Sequence, residues 1–121
     1  MEKRRTLVLG ASEKAERYSN MAIRSLVRNG ELVVAVGRRE GEVSGVIIET
    51  GMPSFEDIET VTMYLSANNQ KGFYDYILSL HPKRILYNPG AENQELEKLA
   101  AKKGIENIEA CTLVMLNTGQ Y

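Results

Sequence analysis

The sequence has one cysteine, one histidine and no apolar run longer than about five residues, and each shortage removes a class of protein. A lone thiol, Cys111, cannot close an internal disulfide, which fits a reducing compartment. Crossing a bilayer takes roughly twenty apolar residues, so no membrane span is expected. The start, Met1-Glu2-Lys3-Arg4-Arg5, leads directly into a strand-like run without the apolar segment and small-residue cleavage site of a secretion signal, so the expected location is the cytoplasm. With no carboxylate cluster at ligand spacing beside the single histidine and cysteine, a structural metal site is excluded. The net charge of −1 comes from interspersed acids and bases, so no basic stripe is available for a nucleic-acid backbone. No Ser-His-Asp set and no carboxylate pair with a positioned histidine can be assembled, which leaves the catalytic inventory thin.

What remains is an ordinary globular composition, 43% apolar and 26% charged over 121 residues, the size of one domain spanning residues 1–121. Residues 6–10 form a short apolar run closed by Gly10, the pattern of a strand buried on both faces. Ala22, Ile23, Leu26 and Val27 follow with helical spacing, and Gly30 closes the helix. Its start is open: Ser19 or Asn20 can cap it, yet Ala11, Ala15 and Tyr18 extend the period back to Ser12. Further strands are expected over 32–36, 46–48, 61–65, 84–87 and 105–110. Ser54-x-x-Asp57 suggests one helical turn, Asn68 or Asn69 a helix carrying Phe73, Tyr76, Ile77 and Leu80, and residues 93–103 a helix ended by Gly104. Residues 112–121 form a tail with room for a turn of helix. Because strands alternate with helices and no Asn-Gly hairpin signal joins two strands, the expected architecture is α/β: a Rossmann-like, doubly wound parallel sheet in one three-layer domain.

Such sheets hold ligands beyond the carboxyl ends of the strands, where strand order reverses, so the residues that follow each strand carry the functional argument. Gly10-Ala11-Ser12 fits a phosphate turn at a helix N-terminus, although only Gly10 matches the three-glycine dinucleotide pattern; a ligand-free strand-to-helix turn is the alternative. After the second strand, where NAD-binding proteins place a carboxylate, the sequence reads Gly37-Arg38-Arg39. Two guanidinium groups there suit the additional ribose phosphate of coenzyme A or NADP, or else form a solvated loop. Tyr64-Leu65-Ser66 and Asn88-Pro89-Gly90 leave later strands on the same rim. Cys111 ends the last strand as either a small buried residue or a thiol lining the ligand channel, while His81 is placed at the opposite end in a surface loop. The tyrosines at 74, 76 and 87 follow the periods of core or groove positions.

Taken together, Val8-Leu9-Gly10-Ala11-Ser12, Arg17-Tyr18-Ser19-Asn20, Asn88-Pro89-Gly90 with Glu92, and Glu109-Ala110-Cys111 resemble the small stand-alone CoA-binding domain family. That family is similar to the CoA-binding N-terminal domain of the succinyl-CoA synthetase α subunit and of nucleotide-diphosphate-forming acyl-CoA synthetases. The resemblance implies that Gly10, Ala11, Ser12, Ser19 and Asn20 cradle phosphate, that Arg38 or Arg39 meets the 3′-phosphate region, and that Tyr18 and Gly37 also belong to the cofactor site. It further implies that Tyr64, Leu65 and Ser66 line the adenine or pantetheine, with Asn88, Pro89, Gly90 and Cys111 along the pantetheine arm. The family often has Asn-Pro and a basic residue where this sequence has Gly37-Arg38-Arg39. The synthetases add ligase and ATP-binding domains that are not in this sequence, so the resemblance implies binding of a small nucleotide ligand, as a homodimer or beside a ligase partner, rather than a reaction.

Overall fold

The computed structural model describes residues 4–121, leaving part of the basic N-terminal run outside it. Within these residues seven strands, β1 (Arg5–Ala11), β2 (Leu32–Gly37), β3 (Gly41–Val43), β4 (Val46–Glu49), β5 (Ile58–Met63), β6 (Arg84–Tyr87) and β7 (Glu106–Glu109), form one sheet in the order β3-β4-β2-β1-β5-β6-β7. Every neighbouring pair is parallel except β3 with β4. Without β3, the order is that of a doubly wound dinucleotide-binding sheet, reversing between β1 and β5. A crevice opens there because the connections from β1 and β5 leave to opposite faces.

Among the described residues, five helices cover the two faces: α1 (Tyr18–Arg28), α2 (Ala67–Gln70), α3 (Tyr74–Ser79), α4 (Gln94–Lys102) and α5 (Thr112–Asn117), with a 3-10 turn at Lys71–Phe73. On the α1 side, Val8, Ala35 and Ile48 pack with Ile23 and Leu26; on the other, Leu7, Leu9, Val61 and Met63 meet Ile77, Leu96 and Ala100. Successive residues of β1 thus serve different cores, which explains its unbroken apolar run. Among the described residues, no helix is long and apolar enough to cross a membrane.

Four sequence expectations are corrected. Two strands are joined directly after all: Ser44 and Gly45, at φ 51° and 82°, form a two-residue hairpin turn between β3 and β4. Its conformation twists with the strands, and Ser-Gly supplies it without an Asn-Gly signal. The first helix begins at neither Ser12 nor a Ser19 or Asn20 cap; residues 12–17 are a loop and Arg17 precedes the first turn. Residues 53–57 form no helical turn. Instead Asp57 lies at φ 58°, and the Arg5 guanidinium and backbone N–H hold Glu56 and Asp57 through their carbonyls. Finally, Ser66 caps α2 by accepting from the Asn69 N–H at 3.4 Å, which puts Asn68 and Asn69 inside the helix.

Candidate functional site

The phosphate-type turn is held from beneath. Gly10 interrupts the β1 register at φ +99°, and a Cβ there would lie 3.1 Å from the Tyr64 carbonyl carbon, so backbone conformation and close packing both require glycine. Beyond it, Asn20 donates from Nδ2 to the Ser12 carbonyl at 3.0 Å and accepts from Arg24 Nε at 2.8 Å. Arg24 also donates to the Ala15 carbonyl at 3.0 Å. Two side chains of α1 therefore tie loop carbonyls to the helix, while Ser12 Oγ accepts from the Lys14 N–H at 3.1 Å. The first turn of α1 has no side-chain cap and no acidic residue, so its N–H groups and positive dipole end are offered to an external anion.

Across from this turn, Arg38, Arg39 and Glu40 bridge β2 and β3 as an exposed arch. Gly37 begins it opposite Ala11, where a Cβ would lie 2.3 Å from the Ala11 carbonyl oxygen. At its other end the Glu13 carboxylate accepts from the Glu42 N–H at 2.9 Å and lies over Gly41.

The far wall comes from β5, β6 and α5. Asn88 is buried, donating from Nδ2 to Thr62 Oγ1 at 2.7 Å and the Met63 carbonyl at 3.0 Å, and accepting the Thr112 N–H at 2.8 Å. Buried Gln70 braces the adjoining chain by donating to the Leu65 and Ala91 carbonyls, each at 2.8 Å. Tyr64 turns its hydroxyl into the protein, where it is buried without a hydrogen-bond partner. Burial pushes its ionisation up to about 12, opposed in part by the neighbouring Thr62 and Thr112 hydroxyls. Tyr87 is raised by burial too, and its hydroxyl donates to Asn107 at 2.9 Å within the core.

These walls enclose a cleft of about 790 Å³ at the strand-order reversal. Of the residues singled out by sequence, Gly10, Ala11, Ser12, Tyr18, Ser19, Arg38, Arg39, Tyr64, Leu65, Ser66, Asn88, Pro89 and Cys111 line it. Asn20 stands behind the turn as its anchor, Gly37 is a packing contact, and Gly90 is in a turn whose N–H donates to Glu92, so these three lie outside the lining. Cys111 is half-buried on the cleft wall directly before α5, whereas His81 is exposed at φ 50° between α3 and β6. Sequence reasoning missed Glu13, Lys14, Arg17, Glu40, Asn69 and Leu113, which also line the cleft. Lys14 and Arg17 had a usable signal, since they follow the glycine turn. Among the described residues there is no cluster of metal-ligating side chains, and the chemistry on offer is anion binding by backbone amides, lysine and arginine.

A family model described as a CoA binding domain matches residues 4–117. A solved structure described as an uncharacterized protein is similar at 45% identity and TM-score 0.94, covering 98% of each chain. A hypothetical protein from Pyrococcus horikoshii OT3 matches at 20% identity and TM-score 0.86, covering 96% of this chain and 83% of that one. The dinucleotide-forming acetyl-coenzyme A synthetase 1 of Ca. Korarchaeum cryptofilum, in complex with phosphate and ADP, matches at 15% identity and TM-score 0.71, covering 90% of this chain and 26% of its own. The last two likenesses concern the fold alone. No curated protein matches the sequence.

Proposed function

The chain belongs to the CoA-binding domain family, and from that premise we propose that it binds coenzyme A or an acyl-CoA in the cytoplasm, without a reaction of its own. The observation that carries this reading is the convergence of three features on one cleft: the Gly10 turn, the uncapped N-terminus of α1, and the Arg38-Arg39 arch. Backbone N–H groups near Gly10, Ala11, Ser12 and Ser19 suit a pyrophosphate, because they are directional donors reinforced by the helix dipole. The arginines suit the ribose 3′-phosphate, which a guanidinium engages through two parallel hydrogen bonds. Tyr64, Leu65, Ser66 and Pro89 then border the adenine and pantetheine, and Cys111 lies toward the thiol end. A cleft of about 790 Å³ is large enough for a ligand of this size.

Calorimetric titration with CoA tests the reading. Binding should weaken at least about tenfold when Arg38 and Arg39 are both replaced by alanine, the loss expected for a charge-assisted phosphate contact. An unchanged affinity in the double variant, or no CoA binding by the original protein, refutes it.

NADP is the second reading, favoured by the strand order and by the same arginines at the position of a ribose 2′-phosphate. Titration of NADPH followed by its fluorescence separates the two. A saturable signal there, with none for CoA, reverses the ranking.

A further inference from the structure

The arginine arch is fastened at both ends to the turn it faces. At Gly37 the fastening is steric: β2 approaches so close to Ala11 that no side chain fits. At Gly41 and Glu42 it is a side chain, since the Glu13 carboxylate accepts the Glu42 N–H at 2.9 Å and occupies the space over Gly41, where a Cβ would be 2.2 Å from the Glu13 carboxyl carbon. Glu13 and Glu40 are the acidic residues of a lining that also holds Lys14, Arg17, Arg38 and Arg39, and Glu40 belongs to the arch itself. A carboxylate there works against anion binding by charge alone. The contacts of Glu13 point to another role.

We propose that Glu13 is a positioning residue for ligand selection: it fixes the spacing between the phosphate turn and Arg38-Arg39, so that the cleft favours nucleotides carrying a second phosphate on the ribose. The inference rests on the CoA reading above and deepens it. A guanidinium discriminates by geometry, and an arch free to swing gives up most of that discrimination even with both arginines present.

The test compares CoA with 3′-dephospho-CoA by calorimetry in the original protein and in Glu13→Ala, Glu13→Gln and Gly41→Ala. The original protein should prefer CoA by at least about tenfold. Glu13→Ala should shrink that preference to about threefold or less, mainly through weaker CoA binding. Glu13→Gln retains a carbonyl acceptor for the Glu42 N–H and should restore the preference. Gly41→Ala displaces the flexible end of Glu13 without deleting it and should behave like Glu13→Ala, which keeps the idea testable if Glu13→Ala fails to fold. A folded Glu13→Ala protein that keeps the full preference overturns the inference, as does one that binds CoA more tightly through loss of a repulsive charge. Equal binding of the two compounds by the original protein overturns it as well. Failure of the original protein to bind either compound overturns the CoA reading itself.

Discussion

Replacing Asn88 by alanine separates a ligand contact from a structural brace. The side chain is 3% exposed and joins β6 to β5 through Thr62 and Met63, and to the start of α5 through the Thr112 N–H. Deletion strips Thr112 of the partner for its buried N–H, while Thr62 Oγ1 still meets Thr112 Oγ1 at 2.8 Å. One orphaned buried donor costs about 1–3 kcal/mol, and the lost Met63 contact and small cavity bring the expected total to about 3 kcal/mol. With a urea dependence of about 1.5 kcal/mol per molar, the unfolding midpoint should fall by about 2 M. Urea titration followed by circular dichroism measures this directly. Aspartate at the position supplies a further check: it keeps the acceptor for Thr112 but turns a second oxygen toward the Met63 carbonyl. Its carboxyl should therefore titrate above the usual value in the folded state, so Asn88→Asp is better tolerated in acid and loses stability as pH rises through that raised value. A loss below about 1 kcal/mol in Asn88→Ala, or an Asn88→Asp protein that is less stable in acid, refutes the brace assignment.

Glycine substitutions should rank by what surrounds them. Gly37→Ala sets a methyl 2.3 Å from the backbone oxygen of Ala11 and should cost more than about 3 kcal/mol, whereas Gly10→Ala, at φ +99° with contacts of 3.1–3.3 Å, should cost about 2 kcal/mol; thermal melts giving the reverse order count against the packing account. Burial raises Tyr64 to about 12 and also raises Tyr76, Tyr87 and Tyr121. The folded protein therefore holds protons that the unfolded chain releases near pH 10, so stability should be intact below about pH 9 and fall as pH rises toward 12. Urea midpoints at about pH 8 and about pH 11 that coincide contradict it. Cys111 lines the cleft, so incubation with CoA disulfide should transfer one CoA to its sulfur and release one CoA thiol, with no adduct in Cys111→Ser; mass spectrometry showing only the bare thiol in the original protein refutes this placement of the ligand's end.

Strands β1, β2, β4 and β6 were legible because each carries a short continuous apolar run, and β1 is the plainest case, with Leu7, Val8 and Leu9 divided between two cores; β5 mixes threonine with apolar residues and lies at Ile58–Met63 rather than over 61–65. The short edge strand β3 was not, since Gly41-Glu42-Val43 has no run to recognise and gains its identity from pairing with β4. Side-chain amides were the harder problem. Asn20 and Asn88 stand beside the cleft, and their residue type says only that a hydrogen bond will be made; the partners proved to be the loop carbonyl of Ser12, the strand carbonyl of Met63, a threonine hydroxyl and a helix N–H. Glu13 escaped notice for a related reason: its partner, Glu42, lies 29 residues away along the chain, and neither position carries a pattern by itself.

The double fastening of the Arg38-Arg39 arch separates foldability from recognition. Its ends are held by a backbone contact at Gly37 and by Glu13 at Gly41 and Glu42, while the side chains at 38, 39 and 40 are exposed. Exposed positions of that kind usually tolerate exchange within about 0.5 kcal/mol, so this short stretch can be rewritten while the sheet remains as it is. Under the proposed CoA reading, a change of ligand preference, in evolution or in the laboratory, requires no new loop and no repacked core, only different side chains on an arch whose position is already set.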